Sequence, residues 1–107
     1  MKQRDPQYLE ANRAARSSLA EAFLAMRTPE ECRALLRDLT TPAELEALVD
    51  RWRAVKLLDQ GIPYREIHAR TGVSVTTIGR VARYLENGNG GYRLALERIK
   101  QQPEKST

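Results

Sequence analysis

Cysteine is almost missing from this chain. Of 107 residues only Cys32 carries a thiol, which excludes an intramolecular disulfide and any cysteine-rich metal cluster. His68 is the sole histidine, so a histidine-based metal site within one chain is excluded as well. Aromatic residues make up 6% of the sequence, and runs of Val, Ile and Thr long enough for a strand do not occur. No apolar run approaches the roughly 18–20 residues of a membrane span, and the N-terminus is polar rather than a signal sequence. The expected location is cytoplasmic, with no membrane partner. The one glycine-rich run, Gly88–Gly91, lacks the GK[ST] ending and the preceding strand of a phosphate-binding loop, and is expected to act as a hinge or cap. The paired carboxylates Glu30/Glu31 and Glu44/Glu46 are accounted for by helix capping and solvation. Composition therefore points away from an enzyme and from any metal or cofactor.

What is present is leucine, alanine and charge. These favour an all-α domain over residues 1–107, small for a self-sufficient core and suited to completing that core by dimerising. Residues 1–6 are polar and expected to fray. Gln7–Arg27 is alanine-rich, with Leu9, Leu19, Phe23 and Met26 at approximate helical spacing, and predicts a long helix that needs another beneath it. Thr28-Pro29-Glu30-Glu31 combines Thr at N-cap, Pro at N1 and Glu at N3, a capping box that opens a second helix to about Asp38. Cys32 lies in it among Leu35, Leu36 and Leu39, as a small buried hydrophobe. Thr41-Pro42-Ala43-Glu44 repeats the device and opens a third helix to Gly61. Its stripe of Leu45, Leu48, Val49, Trp52, Val55 and Leu58 makes it the backbone of the fold, with Trp52 as a core or interface anchor and Arg51, Arg53 and Lys56 on a solvated face. Gly61-Ile62-Pro63 breaks the third helix.

Residues 64–86 carry the functional signal. Tyr64–Thr71 predicts a helix with Ile67 inward, Gly72-Val73-Ser74 a turn, and Ser74 an N-cap for a second helix. Along that helix Val75, Ile78, Val81, Ala82 and Leu85 fall within roughly 120° of arc at 100° per residue. Thr76, Arg80 and Arg83 occupy the other side, with Gly79 on its flank. An apolar back with a short-polar and arginine front suits a helix that enters the DNA major groove, and the pair is expected to be a helix-turn-helix. Charge agrees. Between residues 61 and 100 lie seven basic residues (Arg65, Arg70, Arg80, Arg83, Arg93, Arg98, Lys100) and three acidic ones (Glu66, Glu86, Glu97), whereas residues 1–60 are balanced. The formal net charge of +4 therefore sits in the segment bearing the reading head. The run 86–91 is expected to be a loop, 92–100 a short last helix burying Leu94, Leu96 and Ile99, and 101–107 a disordered tail.

The stretches LTTPAELEALVDRWRAVKLLDQG (39–61) and YREIHARTGVSVTTIGR (64–80), in this order of helices, resemble the Trp repressor superfamily. RYLENGNGGY (83–92) resembles more narrowly its YerC/YecD group of Trp-repressor-related proteins. The resemblance covers about residues 28–100. It implies a six-helix intertwined homodimer in which the dimerisation helices of residues 7–61 and the last helix build the shared core and leave two helix-turn-helix reading heads outside it, acting on double-stranded DNA as a transcriptional regulator, with a repressor expected, at a near-palindromic operator. By the family pattern Arg65 and His68 lie by the DNA backbone or groove and Val75, Thr76 and Gly79 nearest the bases. For Val75 this conflicts with the helical wheel, which buries it. Helix and resemblance together give the DNA-contacting set Arg65, His68, Ser74, Val75, Thr76, Thr77, Gly79, Arg80 and Arg83. In the Trp repressor the corepressor sits between two arginines that correspond to Arg51 and Arg80. A glycine and a serine of that pocket are replaced here by Val81 and Tyr84, which take space an indole needs. Arg51, Arg80, Val81 and Tyr84 are thus the candidate effector pocket, expected not to take tryptophan and to leave DNA binding constitutive or tied to another small molecule. Two other functions fit the pattern: a DNA-binding accessory protein of replication or recombination, and a helical dimer that binds proteins instead.

Overall fold

Six helices follow one another in the computed structural model, which describes residues 5–102: α1 (Pro6–Ala25), α2 (Pro29–Leu39), α3 (Pro42–Asp59), α4 (Tyr64–Thr71), α5 (Val75–Asn87) and α6 (Gly91–Gln101). Among the described residues there is no strand, and no helix is long and apolar enough to cross a membrane.

The helix starts are chemically explicit. In α2 the Glu31 N–H donates to Thr28 Oγ1 at 3.1 Å, while the Glu31 carboxylate reaches one residue further back and accepts from the Arg27 N–H at 2.7 Å. In α3 the box is reciprocal, with Glu44 N–H to Thr41 Oγ1 at 3.1 Å and Thr41 N–H to Glu44 Oε1 at 2.9 Å. Each box satisfies donors that a helix end would otherwise leave unpaired. The expected fraying at residues 1–6 does not extend to Asp5 and Pro6: the Asp5 side chain accepts from the Tyr8 N–H at 2.8 Å and Pro6 takes the first turn of α1. Residues 1–4 and 103–107 lie outside the described residues, including most of the expected disordered tail. Gln101, assigned to that tail, is the last residue of α6.

The glycine-rich connection is shorter than expected. Glu86 and Asn87 belong to α5, Gly91 opens α6, and only residues 88–90 are non-helical. The Gly88 N–H donates to the Tyr84 carbonyl at 2.9 Å, continuing the i to i−4 ladder past Asn87. Glycine weakens a helix where it stands but does not terminate the residues before it. Gly90, at φ 87°, makes the turn in the left-handed region open to glycine.

The chain forms two compact units, Met1–Leu45 and Glu46–Thr107. The second holds the core: Ala54, Val55, Ile67, Val73, Ile78, Val81, Leu85 and Leu96 are buried, with Trp52, Leu57, Leu58, Ile62 and Tyr92 packed against them. The stripe of α3 is only partly used, since Leu48 and Val49 remain exposed while Ala54, outside the stripe, is fully buried. Lys100 of α6 pairs with Asp59 at the end of α3 at 2.7 Å; with Lys100 largely exposed, this contributes little. In the first unit no described residue is buried. Cys32 is half-buried rather than enclosed, and Leu24 is 84% exposed.

Gly88 is the position most intolerant of a side chain. A Cβ there would overlap the carbonyl oxygen of Tyr84 and lie 3.0 Å from its carbon, both fixed backbone atoms. Gly88→Ala should therefore destabilise the protein by about 2 kcal/mol, the range of overpacked sites, seen as a lower urea midpoint at unchanged slope. An unchanged midpoint would mean that the α5–α6 connection relaxes freely.

Candidate nucleic-acid interface

The local chemistry of α4, the turn and α5 sets which side chains can face outward. Ile67 from α4, Val73 from the turn and Ile78, Val81 and Leu85 from α5 are buried together. Gly72 closes α4 at φ 77°, and its N–H donates to the His68 carbonyl at 2.8 Å. Ser74 caps α5, accepting from the Thr77 N–H at 3.1 Å and bonding to the Thr77 hydroxyl at 3.0 Å. The sequence placed this turn and this cap at the same residues.

Between them Val73 is held at every functional group. Its N–H donates to Thr71 Oγ1 at 3.0 Å, and that hydroxyl donates to the Ile67 carbonyl at 2.7 Å. Its own carbonyl accepts from His68 Nδ1 at 2.8 Å, and its side chain is 3% exposed. Val73 did not stand out in the sequence, because a lone apolar residue in a turn has no periodic partner.

On α5 the buried residues Ile78, Val81 and Leu85 span roughly 60° of arc, half the apolar arc read from the sequence. Val75 lies at the edge of that wider arc and in the first turn, and is 52% exposed. Its expected burial is thus corrected: it stands on the outward side beside Ser74, Thr76, Arg80 and Arg83, all exposed, with Thr77 and Gly79 half-buried. The α4 residues Arg65 and His68 are exposed too. Arg70 is engaged by the Glu66 carboxylate one turn earlier, with Nε at 3.1 Å, which neutralises much of what it could offer a ligand. Among the described residues, Arg65, Arg80 and Arg83 have no carboxylate within ion-pair distance. A Cβ added to Gly79 would meet only the Tyr64 ring, at 3.9 Å, so the absence of a side chain there is not forced by packing.

Arg51, Arg80, Val81 and Tyr84 line one cavity of about 560 Å³. Asn89, Gly91 and Tyr92 complete it; none was anticipated, since nothing local indicates where the chain returns after Gly90. Val81 forms a buried wall, while Tyr84 is half-exposed and carries the Arg80 guanidinium over its ring, 5.0 Å from the centroid. That distance is within cation–π range. No group of acidic, histidine or cysteine side chains among the described residues is arranged to hold a metal ion.

Comparison with known proteins draws on the same elements. A family model described as Trp repressor protein matches residues 15–100. The chain is 36% identical over 89 residues to the uncharacterized protein YerC of Bacillus subtilis (strain 168), an overlap of 83% of this chain and 86% of that protein. A crystal structure of a candidate Trp repressor from Staphylococcus aureus aligns with a TM-score of 0.77 at 35% identity, covering 85% of this chain and 91% of that one. A TrpR-like protein from Eubacterium eligens aligns with a TM-score of 0.77 at 32% identity, covering 85% and 94%. The family match spans the paired caps, the turn at Gly72 and the arginine-bearing face of α5, and the chain belongs to the Trp repressor family as a YerC-type member.

Proposed function

We propose that the protein is a sequence-specific DNA-binding transcriptional regulator that acts as a homodimer on a near-palindromic operator and does not respond to tryptophan. The observation that carries this reading is the outward face of α5. Val75, Thr76, Arg80 and Arg83 are exposed while Ile78, Val81 and Leu85 are buried behind them, in a chain of the Trp repressor family. Each α5 would enter a major groove, with the centres of the two half-sites roughly 34 Å apart. Arg65, Arg80 and Arg83, free of internal carboxylates, would meet phosphates, with His68 beside them. Val75 and Thr76 would contact base edges, Ser74 and Thr77 would hold the first turn against the backbone, and Gly79 would admit close approach. Support for a second copy comes from residues 5–45, where two helices bury no residue within their own chain.

Selection from random duplex pools at two salt concentrations should recover a two-fold symmetric site with half-sites one helical turn apart. Salt-sensitive binding without an enriched site would favour an accessory DNA-binding role, and no duplex affinity at all would favour the protein-binding alternative.

Arg83→Ala should weaken binding to every duplex alike and reduce the slope of log affinity against log salt by about 0.9, the value for one lost phosphate contact. A changed sequence preference would instead make Arg83 a base-reading residue. Gly79→Ala should raise stability by about 1 kcal/mol, the helix-propensity difference, because the added methyl meets only an ordinary contact with Tyr64. The same variant should lose operator affinity, and undiminished affinity would remove close approach as the reason for glycine.

Calorimetric titration with L-tryptophan should give no heat of binding at micromolar concentrations, because Tyr84 and Val81 occupy the corepressor side of the cavity. Saturable micromolar binding, or a tryptophan-dependent gain in operator affinity, would refute this.

A further inference from the structure

We infer that His68 is a positioning residue of the reading head, locked as the Nδ1–H tautomer by the Val73 carbonyl and setting through that bond the peptide that carries the N-cap of α5. This deepens the DNA-binding reading and rests on it for its consequence, though not for its geometry. A backbone carbonyl has no proton to give, so at 2.8 Å the hydrogen must lie on Nδ1. Nε2 of the exposed ring has no protein partner among the described residues and bears the lone pair whenever the imidazole is neutral.

The mechanical consequence follows from peptide planarity. The Val73 carbonyl shares its plane with the Ser74 N–H, so holding one end orients the other. Ser74 has φ −67° and ψ 150° and supplies the cap of α5 through Thr77. The Val73 N–H is tied independently to Thr71, and its side chain is in the core. The 73–74 peptide is flanked by the Val73 side chain in the core and by Ser74 at the start of α5, whose carbonyl accepts from the Ile78 N–H at 3.0 Å, and the hydrogen bond made by the peptide's own carbonyl is the one from the His68 ring. Losing that ring hydrogen bond leaves the core and the Ser74 cap in place but loosens the tilt of the peptide that leads into α5, where Val75 and Thr76 stand. The imidazole acts on the direction of the first turn of α5 rather than on the stability of the fold.

Two measurements test this, one independent of DNA. Long-range proton–nitrogen correlation spectra of the imidazole in alkaline buffer should show Nδ1 protonated and Nε2 bare; a proton on Nε2 would overturn the inference whatever the protein binds. Next, operator affinity and thermal midpoint are compared for wild type, His68→Ala and His68→Asn, the asparagine amide standing close to the place of Nδ1–H. His68→Ala should weaken operator binding about tenfold, the upper range for one neutral hydrogen bond, with a midpoint close to wild type. His68→Asn should recover affinity to within about twofold of wild type, having restored the donor. Equal losses in both variants would assign the effect to the outward nitrogen, and no loss in His68→Ala would show the bond to be idle; either result overturns the positioning role. If the wild-type protein binds no duplex, the DNA reading fails while the tautomer result still decides the lock.

Discussion

Everything that α4, the turn and α5 can present depends on one packing constraint: Ile67, Val73 and Ile78 are buried in a single core. These three come from α4, the turn and α5, so the connection is fixed at both ends and in its middle. Were Val73 on the surface, Gly72 would be an ordinary helix stop and α5 could leave α4 over a range of angles. With Val73 inside, the turn is a structural member, and the exposed residues of α5 inherit their direction from it. Close-packed interiors hold such geometry because side chains there cannot move independently. The polar bonds around Val73 are subordinate, refining an orientation that burial has already restricted.

How much of this could be seen in the chain itself depends on how local the cause was. Caps are short-range, and Thr28, Thr41 and Ser74 each lie at the position their chemistry demands. The left-handed stop at Gly72 is local too. Val75 went wrong for a different reason: an apolar arc gives which residues could be buried, whereas the neighbouring elements decide how much of that arc they cover. They cover the part centred on Ile78, Val81 and Leu85, leaving Val75 outside. Ala54 and Val73 were hidden for the converse reason, being small or isolated residues whose burial comes from distant chain. The lining of the cavity by Asn89 and Tyr92 depends on how α6 returns, which no local pattern encodes.

Residues 5–45 pose a thermodynamic question that their sequence only hinted at. Ordering the backbone costs roughly 1–2 kcal/mol per residue, and isolated helices of 11 and 20 residues are marginal in water. Capping boxes and surface ion pairs contribute about a kilocalorie per mole or less each. Without a buried residue in this unit, those terms fall far short of the entropy. Leu9, Leu19 and Leu24, all exposed, are the surface from which the remaining free energy must come. The proposed homodimer would supply the missing burial, and it would also account for the stripe of α3 continuing past the portion used within the chain.

The cavity beside α5 bears on the proposal that the protein does not respond to tryptophan. A ligand shifts a conformational equilibrium only by its difference in affinity for the two states. An aromatic effector could create such a difference by organising an arginine that is otherwise mobile. Here Arg80 already lies over an aromatic ring, that of Tyr84, one helical turn along the same element. Because i and i+4 side chains are neighbours on any helix, formation of α5 by itself brings the two within reach. A small molecule entering the remaining space would thus find Arg80 already partnered, and the differential contact available to it would be small. In the proposed reading the Tyr84 side chain would do more than obstruct an indole: by drawing Arg80 over its own ring it would reduce the contact that tryptophan could gain from that arginine.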